Sequence, residues 1–301
     1  MTPSLFKQLN VNSKDEVDEG AVIEAAQQNP NDIDRIFEFS WYRCCPLHKA
    51  LELELGDDVI KSLISPFAIR HKDDMLRTPL HIICGKGASL ESLSMVLNAW
   101  PEAAREKSRN GITPLHCICG NERASLEMLS MVLKVYPEAA REKDRDGRTP
   151  LHWICANESA SYRMMQTILD EWLKAKENRT SHSVISLISE TEEDEWDEHV
   201  FQDEWGTDIR DDIKELFRHL SSLFEENNQS NPSLQDITTY FINTSWWNGV
   251  WLGIDRHPSI AKSMKLQTTV MADFLFTAGK RLSLASMAEV ISNEPDLLEG
   301  V

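Results

Sequence analysis

The motif Thr-Pro-Leu-His begins at Thr78, Thr113 and Thr149, so its copies are separated by 35 and 36 residues. The first two copies are each followed by nearly the same amino-acid sequence, over residues 89–107 and 125–143. A fixed period of about 20 to 50 residues is typical of repeated units that stack and bury their apolar faces against each other. The sequence therefore predicts an array of repeated helical units.

The prolines extend this array beyond the three clear copies of the motif. Ten of the 12 prolines recur at intervals of 33 to 37 residues. Some stand where a first helix should start, because proline is tolerated at that position, and others follow a second helix, because the residue before proline disfavours helix. Cys45 replaces threonine in a degenerate copy, and Pro258 and Pro295 indicate a divergent helix pair over 271–277 and 283–291. The helix-starting prolines are Pro46, Pro79, Pro114 and Pro150, and the helix-ending ones are Pro30, Pro66, Pro101 and Pro137.

Each residue of the motif has a physical role at the start of a helix. Threonine is a good N-cap, and the leucine turns into the core. The histidine can link its imidazole to the threonine hydroxyl or to the backbone of a neighbouring turn, which would tie one unit to the next. Gly111 and Gly147, two residues before the threonine, allow a positive φ in the preceding turn.

This combination of a turn, Thr-Pro-Leu-His and a second amphipathic helix resembles the ankyrin repeat family, most clearly over residues 74–175. The resemblance implies an all-α fold, an ankyrin-type α-solenoid of stacked helix–turn–helix repeats with a divergent C-terminal helical cap. The period departs from the family value of about 33 residues. Pro-Glu-Ala-Ala-Arg-Glu-Lys also replaces the family's usual Gly-Ala-Asp-Val-Asn after the second helix, so we expect longer turns.

We expect four regions along the chain. Residues 1–18 should be a disordered N-terminus, 19–175 the repeat array, 176–232 an acidic, partly disordered insertion with one helix, and 233–301 a C-terminal helical region of degenerate repeats. Apolar spacing predicts helices over 19–28, 57–63, 163–175 and 209–224, a short helix carrying Ile33, Ile36 and Phe37, and another carrying Ile237, Tyr240 and Phe241.

Composition limits the class of partner. The net charge of −18 argues against nucleic acid and anionic membranes as partners. Residues 190–212 hold 12 acidic residues against one basic residue, interspersed with Trp196, Phe201 and Trp205. Six cysteines without a readable secretory signal or an apolar run that could span a membrane indicate an intracellular location, the cytoplasm or alternatively the nucleus. We expect a monomer.

The repeated histidines and cysteines could be proposed as a chemical site. Stacked units would place successive histidines about 10 Å apart, too far for one metal ion. Cys84, Cys119 and Cys155 each lie six residues after the threonine, where the family has a small buried residue. We therefore expect no catalytic, cofactor-binding or metal site, and no cofactor.

The resemblance implies a non-enzymatic scaffold or adaptor that binds another protein through its turn tips and concave face. Trp153 is the residue expected to contribute most, as an exposed aromatic. Two alternatives stay open: an enzyme or regulator whose activity lies in residues 176–255, and an acidic segment, 190–208, that occupies the chain's own basic turn tips. The expected binding residues are His71, Lys72, Asp74, Leu76, Ile82, Lys107, Arg109, Asn110, Cys117, Lys143, Arg145, Asp146 and Trp153.

Overall fold

The computed structural model of the chain describes residues 4–39, 42–187, 210–225 and 232–257. The chain divides into two units. The described part of unit one is 4–39, 42–174 and 210, and that of unit two is 175–187, 211–225 and 232–257. Regular structure in these residues is almost entirely helical, so the predicted all-α class is confirmed.

Two helices open the described part of unit one. Helix α1 (Leu5–Leu9) buries both of its leucines completely. The disorder expected for residues 1–18 is therefore wrong for this helix, because burial of Leu5 and Leu9 stabilises a segment too short to be helical alone. Helix α2 (Glu19–Gln28) has the predicted bounds, and the Asp18 carboxylate caps it by accepting a bond from the Ala21 N–H.

The short helix predicted to carry Ile33, Ile36 and Phe37 is wrong: Ile33 lies in a turn, and Phe37 begins a β-hairpin. Strand β1 (Phe37–Phe39) pairs antiparallel with β2 (Tyr42–Cys44). The Phe6 ring lies 5.3 and 5.4 Å from the rings of Phe37 and Phe39, measured between centroids. Alternate residues of a strand face the same side, and this lets both rings meet Phe6.

Four helix pairs follow, and each first helix begins at a proline of the predicted lattice. The first helices of successive pairs contact each other, and so do the second helices, so the pairs pack side by side. The predicted second helix of the fourth pair is three residues shorter than expected at its C-terminal end. The pairs are α3 (Pro46–Glu52) with α4 (Asp57–Leu63), α5 (Pro79–Lys86) with α6 (Leu90–Ala99), α7 (Pro114–Cys119) with α8 (Leu126–Val135), and α9 (Pro150–Cys155) with α10 (Tyr162–Trp172).

The ends of the second helices follow from local chemistry. Ser89, Ser125 and Ser161 cap α6, α8 and α10 by accepting a backbone N–H bond three residues on. Trp100 and Tyr136, each before a proline, leave the helical region with φ of −150° and −141°. A short 3₁₀ helix then buries two alanines in each case. These 3₁₀ helices are Pro101–Arg105 and Pro137–Arg141.

The core of the array matches the predicted inward positions. Leu80, Leu115 and Leu151, the leucines of the motif, have no exposed surface. The three cysteines expected to be small buried residues are buried as predicted: they are Cys84, Cys119 and Cys155. Burial raises the pKa of the Cys155 thiol to about 12, so it stays protonated as a packing residue.

Unit two is helical in its described residues. Helix α12 (Asp211–Phe224) carries the predicted apolar stripe, whose side chains are buried: they are Ile213, Leu216, Phe217, Leu220, Leu223 and Phe224. The Trp246 ring meets the Phe241 ring edge to face, with 4.9 Å between centroids. The region 176–232 contains a short helix, α11, in addition to the one expected there. The helices are α11 (Ser181–Ile185), α12 (Asp211–Phe224), α13 (Leu234–Asn243) and α14 (Trp247–Arg256).

Several predictions lie outside the described residues. These are the acidic segment 190–208 with Trp196, Phe201 and Trp205, and the C-terminal helices at 271–277 and 283–291. Among the helices of the described residues, none combines the length and the apolar character that crossing a bilayer requires.

Candidate functional site

The turns that precede α5, α7 and α9 form the most regular surface of unit one. In each turn, one backbone N–H donates to the C=O of the residue four positions later, which closes a small hairpin. We name residues 70–77, 105–112 and 141–148 turn one, turn two and turn three, and together the turn row. The closing bonds are Asp73 to Arg77 (3.0 Å), Ser108 to Ile112 (2.9 Å) and Asp144 to Arg148 (3.0 Å).

Backbone hydrogen bonds join the three turns into one row. The Arg109 N–H donates to the Met75 C=O over 2.8 Å, and the Arg145 N–H donates to the Asn110 C=O over 2.9 Å. These bonds pass from tip to tip, so the backbone of each turn is fixed by its neighbour. Side chains that project from the row therefore stand on a preorganised support.

Positive φ is required at the same place in every turn. Gly111 and Gly147 have φ of 75° and 78°, which confirms the role predicted for these glycines. Leu76 occupies the equivalent position in turn one with φ of 58°. A leucine in this left-handed region costs about 1–2 kcal/mol relative to its ordinary conformation.

The motif histidines fasten three of the first helices, α3, α5 and α7, to the following turn. His81 Nδ1 accepts a bond from the Thr78 N–H (3.2 Å) and lies 2.8 Å from the Thr78 hydroxyl. Because a backbone N–H donates into Nδ1, the ring proton sits on Nε2, which donates to the Ile112 C=O over 3.0 Å. His116 repeats this arrangement with the Arg148 C=O at 3.1 Å. Both predicted links are therefore confirmed in the same side chain.

Burial keeps these imidazoles neutral. It lowers the pKa of His48, His81 and His152 to about 4, and it also lowers the pKa of His116. A neutral ring with Nε2–H suits the bonds above, since a proton on Nδ1 would displace the threonine N–H. The histidines thus act as uncharged connectors between units.

A buried carboxylate stabilises turns one and three. Asp144 Oδ1 accepts the N–H groups of Asp146 (3.0 Å) and Arg148 (2.8 Å), and its Oδ2 accepts the Trp153 indole N–H (3.0 Å). Asp73 makes the same pair of backbone bonds in turn one. Ser108 stands at this place in turn two, where its buried Oγ has no hydrogen-bond partner in the described residues.

Ion pairs run along the base of the row. Lys72 Nζ lies 2.5 Å from a Glu106 carboxylate oxygen, and Lys107 Nζ lies 2.7 Å from one of Glu142. The Glu142 carboxylate also accepts a bond from the Tyr136 hydroxyl over 2.7 Å. The Lys107 and Tyr136 contacts hold the pKa of Glu142 below its ordinary value. Each pair connects one turn to the next.

The structure brings ten of the 13 predicted binding residues together on the turn row. Ile82, Cys117 and Trp153 lie instead on the first helices, one residue after the motif histidine. Seven of the predicted residues are exposed and five are half-buried. The exposed ones are Asp74, Leu76, Lys107, Arg109, Lys143, Arg145 and Asp146, and the half-buried ones are His71, Lys72, Asn110, Cys117 and Trp153.

Two of the predicted residues need correction. Ile82 is only 3 % exposed, because α5 packs between α3 and α7, so its expected role as a surface contact is wrong. Trp153 is half-buried and not the exposed aromatic that we expected. Its indole bonds to Asp144 and meets the His116 ring at 5.7 Å, and a side chain on Gly120 would overlap it. The tryptophan therefore has a structural reason to be there.

One cysteine–histidine pair has the separation of a nucleophile and its base. Cys45 Sγ lies 2.9 Å from His48 Nδ1, and His48 Nε2 lies 3.2 Å from the Arg77 C=O. Both side chains are fully buried, and burial raises the pKa of the Cys45 thiol to about 11. Cys45 thus takes the place of the threonine in this degenerate copy of the motif, and His48 is the motif histidine. Over the described ranges, no group of three or more His, Cys, Asp or Glu side chains could hold a metal ion.

Sequence reasoning missed two further exposed apolar residues, one within turn one and one shortly before it. Phe67 and Met75 stand at positions that are polar in the next two units, and this departure from the repeat was the available signal. Comparisons with known proteins add no assignment: no protein-family description matches the chain, and no curated protein does.

Proposed function

We propose that the chain is an ankyrin-type α-solenoid that serves as a non-enzymatic scaffold or adaptor and binds another protein through its turn row. The observation that carries the proposal is the pair of backbone bonds that joins the three turns into one surface. Binding to such a surface costs little ordering of the backbone, so the exposed side chains can contribute their contacts more fully.

Several local features support the interpretation of the chain as an ankyrin-type α-solenoid. Helix pairs recur at the proline lattice, Thr-Pro-Leu-His forms a capping box in three copies, and in two of these copies the histidine donates to the next turn. Glycine takes a positive φ before two of these copies. The period exceeds that of the ankyrin family, and the proline-started 3₁₀ helices Pro101–Arg105 and Pro137–Arg141 occupy the region where the sequences differ.

A binding role also agrees with the chemistry of the described residues. The histidines that recur once per unit are engaged in hydrogen bonds and kept neutral, and the most suggestive pair, Cys45 and His48, is buried. The turn row instead offers long, exposed basic side chains on a fixed backbone. Such side chains recognise the surface of a macromolecule more readily than they perform a reaction.

Affinity purification of the full chain followed by mass spectrometry tests this proposal. We expect Arg145→Glu to reduce recovery of the specific partner, because Arg145 is exposed at the tip of turn three. Lys134→Glu makes the same charge change on an exposed site of α8 and serves as the matched control. Trp153→Ala is a weaker probe, since loss of the indole would also disturb the fold. Equal recovery with wild type, Arg145→Glu and Trp153→Ala would refute binding through this surface.

A further inference from the structure

The turn row changes in chemical character along its length. Turn one exposes apolar side chains: Met75 is 40 % exposed and Leu76 is 45 % exposed, and Phe67, three residues before the turn, is 43 % exposed. The next two units have Glu, Asn or Asp, and Gly at the corresponding positions. All three departures replace a polar residue or glycine by a large apolar one that remains in contact with solvent.

Leu76 makes this departure at a cost to the backbone. Its φ of 58° lies in the region that the glycines of turns two and three occupy without strain. A strained residue that leaves 45 % of its surface exposed points to a role outside the fold. We therefore interpret the apolar tip of turn one, Met75 and Leu76, as a contact surface for a binding partner.

Turns two and three are basic at their surface. Residues 105–112 and 141–148 contain seven basic and four acidic residues, although the whole chain carries a charge of −18. Three of the four carboxylates already take part in the ion pairs and hydrogen bonds described above: they are Glu106, Glu142 and Asp144. Asp146 is the fourth acidic residue of these two turns. None of the four basic side chains of turn three forms an ion pair within the described residues: they are Arg141, Lys143, Arg145 and Arg148.

We propose that the turn row binds an extended segment of a partner protein that carries a bulky apolar side chain and, about six residues away, a cluster of Asp and Glu. The proposal rests on the proposed protein-binding function and specifies the chemistry of the partner. Each turn contains two chain segments about 4.8 Å apart, so turns one and three are separated by about 20 Å. An extended chain advances about 3.3 Å per residue, so about six residues span that distance.

A peptide fits this surface better than a nucleic acid does. The acidic cluster would meet Lys143 and Arg145, and the apolar side chain would cover Met75 and Leu76. A phosphate backbone would satisfy the basic turns but leave the apolar tip uncovered, and the net charge of −18 would repel a long polyanion. The order of apolar and acidic contacts is thus the feature that distinguishes the partner.

The test measures binding of fluorescent peptides of about 12 residues to the full chain by anisotropy, at low and high salt. The graded peptide has Leu-Phe near one end and three Glu near the other, with Ser and Thr elsewhere. A scrambled peptide of the same composition and a single-stranded oligothymidine are the comparison probes. We expect the graded peptide to bind about tenfold more tightly than either, and high salt to weaken it.

Two double variants test the basic end and the apolar end of the turn row separately. Lys143→Glu with Arg145→Glu should weaken the graded peptide about tenfold or more, since the attraction becomes repulsion. Met75→Asn with Leu76→Gly installs the residues of turn two, and should weaken binding about three- to tenfold while leaving the fold intact or more stable. Lys134→Glu should change affinity less than about twofold.

The inference is overturned if the graded peptide does not bind, if the scrambled peptide or oligothymidine binds equally well, or if either double variant binds like wild type. These results leave the proposed function standing when affinity capture still depends on Arg145. Capture that is indifferent to Arg145 would instead remove the proposed function together with the inference.

Discussion

The neutral histidine connectors predict that acid weakens the array, and His81 allows the effect to be isolated. In the native chain burial lowers its pKa from 6.5 to about 4. The unfolded chain therefore takes up a proton as the pH falls through 6.5, whereas the native chain does so only near 4. Stability due to this residue is fully present above pH 6.5 and is lost between pH 6.5 and 4.

The magnitude follows from the difference between the two pKa values. That difference corresponds to about 3 kcal/mol when complete, and to about 2 kcal/mol at pH 5. At pH 8, His81→Ala should cost about 2–4 kcal/mol, because it removes the bonds to Thr78 and leaves the Ile112 C=O without its donor. At pH 5 the wild type has already lost part of the stability that the neutral His81 supplies. The difference in free energy of unfolding between wild type and variant should therefore shrink by about 2 kcal/mol.

Urea unfolding followed by far-ultraviolet circular dichroism at pH 8 and pH 5 measures both free energies of unfolding. His182→Ala removes an exposed histidine of unit two and is the matched control, for which we expect only a small change in the free energy of unfolding. A His81→Ala difference that stays constant or grows at pH 5 would refute the neutral connector. A direct titration of the His81 ring by NMR with a midpoint near 6.5 would refute it as well.

Three further substitutions test the packing and the turns by their free energies of unfolding in urea. Gly249→Ala should cost about 1–3 kcal/mol, because a Cβ there overlaps the Trp246 ring, and no loss would contradict this packing. Ser108→Asp should stabilise by about 1 kcal/mol, since it supplies the carboxylate that turns one and three already have. Leu76→Gly should stabilise by about 1 kcal/mol, because it relieves the positive φ, and a loss of stability would mean that the leucine contributes to the core.

The sequence predicts most of the helix pairs because proline and the capping residues act locally. Proline after a capping residue favours the first turn of a helix, and the histidine of the motif binds a threonine only three residues away. Both ends of α4 and the first residue of α7 therefore agree with the prediction from the sequence. The positive φ of Gly111 was predictable for the same reason, since the requirement lies within one turn.

The errors concern features that depend on distant residues. The spacing of Ile33, Ile36 and Phe37 fits a helix, but contact of Phe37 with Phe6, far away in the chain, favours a strand. Helix α1 exists only because Leu5 and Leu9 reach the core. A single sequence does not reveal such contacts.

Exposure on the candidate surface was equally difficult to predict. Ile82 follows the motif histidine as Trp153 does, yet neighbouring helices cover it on both sides. Trp153 is held by Asp144 in its own unit, a bond that the repeat pattern alone does not indicate. The turn tips were predicted better, because their polar composition reflects solvent contact directly.

The most direct test of the central claim is hydrogen exchange of the full chain, alone and in complex with the partner that affinity capture recovers. Binding through the turn row predicts slower exchange on complex formation over residues 70–77, 105–112 and 141–148, with little change at the exposed ends of α6 and α8. Protection confined to residues 211–257, with exchange in the turn row unchanged, would contradict the account and move the function to unit two.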